Sequence, residues 1–255
     1  ATCSERFVDG GESAVRARIY RPSAARGAPP ALVYFHGGGF VVGSVETCDA
    51  ACRTIAEQAG ILVISIDYRL APEHRFPAPL DDALAAYGWL LSAGFAPGEI
   101  ALAGDSAGGG LAAALLLALK ARGAPLPAAA ALMSPWTDME ASGESYSTRA
   151  AADPIHRRAM IQALARSYLG RNGDPRDPLA SPLRGDLAGL PPMLIQVGDR
   201  ETVLHDQTVG GGYHQYRAVH LRRAGNHIFD VVGVAGRVNM RVVALCGFIL
   251  GMMER

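Results

Sequence analysis

The sequence predicts an α/β domain: a mostly parallel central sheet with helices on both faces. Two observations carry this. Five short apolar runs (Leu32–Phe35, Ile61–Ile66, Ile100–Ala103, Ala129–Met133 and Met193–Val197) are near-continuous rather than alternating, as strands buried on both faces are. Longer helix-forming stretches separate several of them, so strand and helix alternate along the chain. With 255 residues, 49% of them hydrophobic, the chain can build one such domain over 1–255 with a substantial core.

Taken in order, Val15–Arg21 alternates apolar and polar residues, the pattern of a half-exposed edge strand. Leu32–Phe35 then runs directly into His36-Gly37-Gly38-Gly39. Glycines at a strand end let backbone N–H groups turn into a cavity, the geometry that holds an oxyanion. Each well-aimed donor is worth about 2.7–4 kcal/mol of transition-state stabilisation. Glu46–Gln58 is the first helix candidate; its Cys48 and Cys52 have no further ligands nearby in sequence and read as ordinary helix residues rather than half a zinc site. After Ile61–Ile66 comes a second helix candidate, Leu80–Leu91.

Ile100–Ala103 leads into Gly104-Asp105-Ser106-Ala107-Gly108, followed by an Ala/Leu helix over Ala107–Arg122 that Pro125 and Pro127 close. Strand, sharp turn, helix is the context in which Gly-x-Ser-x-Gly forms a nucleophile elbow. Ser106 is lifted off the sheet on a strained turn, and the helix N-terminus points its positive end at the reacting atoms. Alone, this pentapeptide is a weak signal, because a glycine-rich turn with a solvated serine looks the same. Two glycine motifs in one chain, each at a strand end, argue against that reading.

Residues 137–190 break the rhythm with a loop around Glu140–Arg149, an amphipathic stretch His156–Leu169, and a return through Pro175, Pro178 and Pro182. The segment follows a strand's carboxyl end, so it is expected over the face where ligands bind. Acyl transfer by serine needs a base and an acid that orients it, in the chain order serine, acid, histidine. The loop after Met193–Val197 offers Asp199, Glu201 and Asp206 as acids. Among seven histidines, His36 belongs to the glycine motif, His74 to the Arg69–Phe76 loop, and His156 to the start of the amphipathic helix. His205 is too near the acids in sequence, while His214 and His220 fall in or before a strand-like run, Val219–Arg223. His227 follows that run in a loop, ahead of a final helix that includes Val242–Met253.

The chain resembles the hormone-sensitive-lipase-like branch of the α/β-hydrolases, the bacterial family IV esterases. The resemblance rests on His36-Gly-Gly-Gly-Phe40, Asp67-Tyr-Arg-Leu-Ala-Pro-Glu-His-Arg-Phe-Pro-Ala78, Gly104-Asp-Ser-Ala-Gly-Gly109, Ser134-Pro-Trp-Thr-Asp138 and Asp177-Pro-Leu-Ala-Ser-Pro-Leu183. It implies an α/β-hydrolase fold in which 137–190 forms part of a cap. With 35 residues before His36, the N-terminal cap helices of the family are expected to be reduced, and the pocket open to short acyl chains. The family's acid-x-Leu-x-Asp pattern matches best with Glu201 as the acid, Asp199 being its alternative and Asp206 a third choice. Its Gly-x-x-His-x-Phe is nearly reproduced around His227. Two departures stand out: Gly210–Gly212 interrupts a stretch where the family has a regular helix, and 26 residues separate Glu201 from His227, fewer than usual there.

The resulting expectation is a carboxylic ester hydrolase. Ser106 is the nucleophile, His227 the base and Glu201 the acid, and the amides of Gly37, Gly38 and Ala107 form the oxyanion hole. No metal or organic cofactor is implied. The alternatives are a catalytically silent small-molecule receptor on the same fold, or a lactonase or amidase using the same residues. Zero formal net charge and unclustered basic residues argue against nucleic acid. No apolar run reaches the eighteen or so residues of a membrane helix, and the first residues lack an apolar signal region. The expected location is therefore cytoplasmic, the expected partner a small ester, and a homodimer is left open.

Overall fold

A computed structural model describes residues 1–9, 14–25, 27–198 and 201–202, together with the backbone of 216–220. Among the described residues, eight strands form one sheet: β1 (Thr2–Asp9), β2 (Ala14–Arg21), β3 (Ala31–Phe35), β4 (Leu62–Asp67), β5 (Ile100–Asp105), β6 (Ala129–Met133), β7 (Met193–Val197) and β8 (Tyr216–His220). Their spatial order is β1-β2-β4-β3-β5-β6-β7-β8. The first two strands run antiparallel, and β4, β3, β5, β6, β7 and β8 are mutually parallel.

The near-continuous apolar runs are explained by burial on both faces. Along β3, Val33 and Phe35 join the core beneath α2 (Ala78–Ser92) and α3 (Ala107–Ala121), while Leu32 and Tyr34 join the one beneath α1 (Asp49–Ala59). Alternate residues of one strand thus feed two cores, and neither set faces water. In α3 the buried positions run from Ala107 through Leu119, because the helix packs on the sheet and against α2 at once.

Two sequence expectations change. Val15–Arg21 is not an edge: β1 pairs along its whole length, Thr2 with Arg21 through Asp9 with Ala14. The strand-like run expected at Val219–Arg223 corresponds to β8, which starts three residues earlier, at Tyr216. The expected final helix including Val242–Met253 lies outside the described residues. Among the described residues, no helix is long and apolar enough to cross a membrane.

The strand order positions the site. From β3 the chain passes through α1 to β4 on one side, then returns across β3 to β5 on the other. The carboxyl ends of β3 and β5 therefore flank the point where the winding reverses, where open α/β sheets bind their ligands.

Candidate active site

β5 ends at Asp105 and α3 begins at Ala107, so Ser106 makes the turn alone. Its φ of 51° and ψ of −118° lie where side chains are rarely tolerated, and the surrounding backbone holds it there. The Ser106 amide donates to the Met133 carbonyl at 2.9 Å, and its carbonyl accepts from Trp136 at 2.8 Å and Gly110 at 3.0 Å. A Cβ on Gly108 would stand 2.0 Å from the Phe35 carbonyl oxygen and 2.6 Å from that of His36. Only glycine lets the first turn of α3 pass so close to the end of β3. Ser106 itself stays half-buried.

The glycine loop after β3 is equally fixed. Gly38, at φ 125°, could carry a Cβ only by striking the Val42 carbonyl at 2.0 Å. The Val41 and Val42 amides both donate to the Gly38 carbonyl at 3.1 Å. The buried His36 ring stacks on Tyr68 at 4.3 Å, and the Tyr68 hydroxyl donates to the His36 carbonyl at 2.6 Å. His36 Nδ1 lies 2.8 Å from the Gly37 carbonyl. Burial lowers the pKa of this imidazole, so the ring is neutral at pH 7 and serves as an anchor.

Asp105 ties the two motifs together. Its Oδ1 accepts from the Gly37 amide at 3.0 Å and from the Tyr34 hydroxyl at 2.9 Å. Burial pushes this carboxyl up, opposed by the Tyr34 hydrogen bond. One expected oxyanion donor, the Gly37 amide, is thereby engaged within the protein. The amides of Gly38, Gly39 and Ala107 make no hydrogen bond among the described residues.

Segment 137–190 packs over this loop through α5 (Arg158–Leu169), the expected amphipathic helix, which starts two residues after His156. A Cβ on Gly39 would meet Leu164 at 2.8 Å, and Phe40 stacks on Tyr168 with ring centres 3.9 Å apart. At the end of β7, Glu201 is half-buried; its Oε1 accepts from the Gly198 amide at 3.0 Å, and its own amide donates to the Gly198 carbonyl at 3.3 Å. Ser106, the glycine loop and Ala107 are thus brought together, and Glu201 lies two strands along the same edge. Asp199, Asp206 and His227 lie outside the described residues. The sequence reading missed Asp105 as a partner of Gly37, and no local spacing signals it. Cys48, immediately before α1, and Cys52 within it are buried thiols, Cys48 Sγ lying 3.1 Å from Ser65 Oγ.

Comparison with known proteins places this geometry. The family model described as alpha/beta hydrolase fold matches residues 32–215. An acetyl-hydrolase of Streptomyces hygroscopicus is 49% identical over 175 residues, 69% of this chain and 58% of that protein. An ethyl acetate hydrolase of Pseudomonas putida is 37% identical over 218 residues, 82% of this chain and 65% of that protein. This chain therefore spans less than two thirds of either relative's length. The crystal structure of an esterase from the bacterial hormone-sensitive lipase family superposes with a TM-score of 0.88 at 40% identity, covering 99% of this chain and 84% of that one.

Proposed function

The chain belongs to the α/β-hydrolase fold family, and on that premise we propose that it is a carboxylic ester hydrolase acting on short-chain acyl esters through an acyl-serine intermediate. The observation that carries this reading is Ser106, alone on a strained turn between β5 and α3, beside backbone amides with no partner among the described residues. Ser106 Oγ attacks the ester carbonyl while His227 takes its proton, and Glu201 orients the imidazole and stabilises the imidazolium. The carbonyl oxygen becomes an oxyanion held by the amides of Gly38 and Ala107, with Gly39 the next open donor in the loop. His227 then protonates the departing alcohol, and water releases the acyl group by the same steps in reverse.

The names of the acetyl-hydrolase and the ethyl acetate hydrolase support a short acyl group. The test is hydrolysis of p-nitrophenyl esters from C2 to C12 at fixed pH. Turnover with kcat/KM highest between C2 and C6 is expected. A maximum at C10 or beyond would reject the short-chain assignment, and no turnover of any ester would reject the hydrolase reading.

A further inference from the structure

Between α4 (Ser145–Thr148) and α5, the chain makes a compact turn around Asp153, which is 3% exposed. The amides of Ala152 and Asp153 donate to the Arg149 carbonyl at 2.8 and 3.0 Å. Asp153 then divides its two carboxylate oxygens. Oδ1 accepts from the amides of Ile155 and His156, both at 2.9 Å, and so closes its own turn. Oδ2 accepts from the amide of Thr202 at 2.9 Å and its hydroxyl at 3.0 Å, with His156 Nδ1 at 3.3 Å. Ser145, from the same segment, donates its hydroxyl to the Thr202 carbonyl. Thr202 is fully buried. Its N–H, hydroxyl and C=O are therefore all held by residues 145–153.

Thr202 directly follows Glu201. Glu201 is held to Gly198 on one side by two hydrogen bonds, and the residue that follows it, Thr202, is held by Asp153. A carboxylate that must meet an imidazole edge tolerates little error, since a displacement of about 1 Å can cost about 10²-fold in rate. We propose that Asp153 is a positioning residue for the triad acid: through Thr202 it sets where Glu201 stands, so the segment over the site also builds part of it. This rests on the reading of Glu201 as that acid. Nothing in the sequence links the two places, because Asp153 and Thr202 are 49 residues apart.

The test is a double-mutant cycle in the full chain with a p-nitrophenyl ester, run well below the Tm of each variant. Asp153→Asn puts an amide where two donors need an acceptor. It is expected to lower kcat by about 10- to 100-fold with KM within about twofold, because Asp153 touches neither Ser106 nor the open amides. In a Glu201→Gln background the same change is expected to cost less than about threefold, since the acid it positions is already disabled. Thr202→Val tests the contact from the other side and should follow the same pattern more weakly. An undiminished Asp153→Asn effect on top of Glu201→Gln, or a change confined to Tm, would make Asp153 a plain structural tether and overturn the proposal. A Glu201→Gln variant retaining kcat within tenfold would instead remove Glu201 as the acid, failing the functional reading itself.

Discussion

Asp105 sits beside the nucleophile and binds the Gly37 amide and the Tyr34 hydroxyl through one oxygen. Asp105→Ala strands both donors in a partly buried site, each at a cost of up to about 1–3 kcal/mol. The expected result is a clear loss in denaturant midpoint together with a lower kcat, as the glycine loop loses its tether. Asp105→Asn, which keeps an acceptor, should lose less of both. Unchanged kcat and stability in Asp105→Ala would show that the loop holds itself. For the acid, Glu201→Gln should lower kcat by about 10⁴, the precedent for a triad carboxylate, while Asp199→Asn should be mild in the same assay. The reverse pattern moves the role to Asp199. Ser106 and the glycine run are legible in sequence because elbow and loop each occupy a few consecutive residues. Asp105's partners are 68 and 71 residues away and meet it only through the pairing of β3 with β5, Phe35 opposite Gly104.

At the scale of elements, the apolar runs identify β3 to β7 and the three helices that cover them, with ends shifted by a few residues. β1 escapes because it has no apolar pattern: only Val8 is buried and Phe7 is 70% exposed, so its strand form comes from pairing with β2. The loop over 68–77 likewise gives no element signal, yet it is pinned by a buried ion pair. Asp82, fully buried in α2, accepts from the Arg69 amide at 2.8 Å and pairs with its guanidinium at 2.8 Å. Breaking such a pair leaves an uncompensated charge, and Asp82→Ala is expected to cost about 3–5 kcal/mol. Equilibrium urea denaturation checks this; a loss below about 1 kcal/mol would mean that water replaces the carboxylate.

Across the whole molecule, topology assembles the site: the winding reversal puts the glycine loop and the elbow side by side, and α5 packs on the glycine loop through Leu164 and Tyr168. Beside β2, Glu46 joins Arg16 at 2.9 Å and Arg18 at 2.6 Å. The Arg16 hydrogen bond holds the Glu46 carboxyl down at about 2. A lowered carboxyl contributes stability that is complete above its unfolded value of about 4.3 and is lost as pH falls toward about 2. The pair is largely exposed, so the contribution is no more than about 1 kcal/mol. The Tm gap between the wild-type protein and Glu46→Gln should therefore narrow between pH 4.5 and 2, and a constant gap would deny the pair its role. The central claim, that Ser106 is the nucleophile of an acyl-transfer site, is tested most directly by labelling with an organophosphate and mapping the adduct by peptide mass spectrometry. One adduct per chain on Ser106, absent in a folded Ser106→Ala variant, is the predicted result; stoichiometric labelling of any other serine would contradict it.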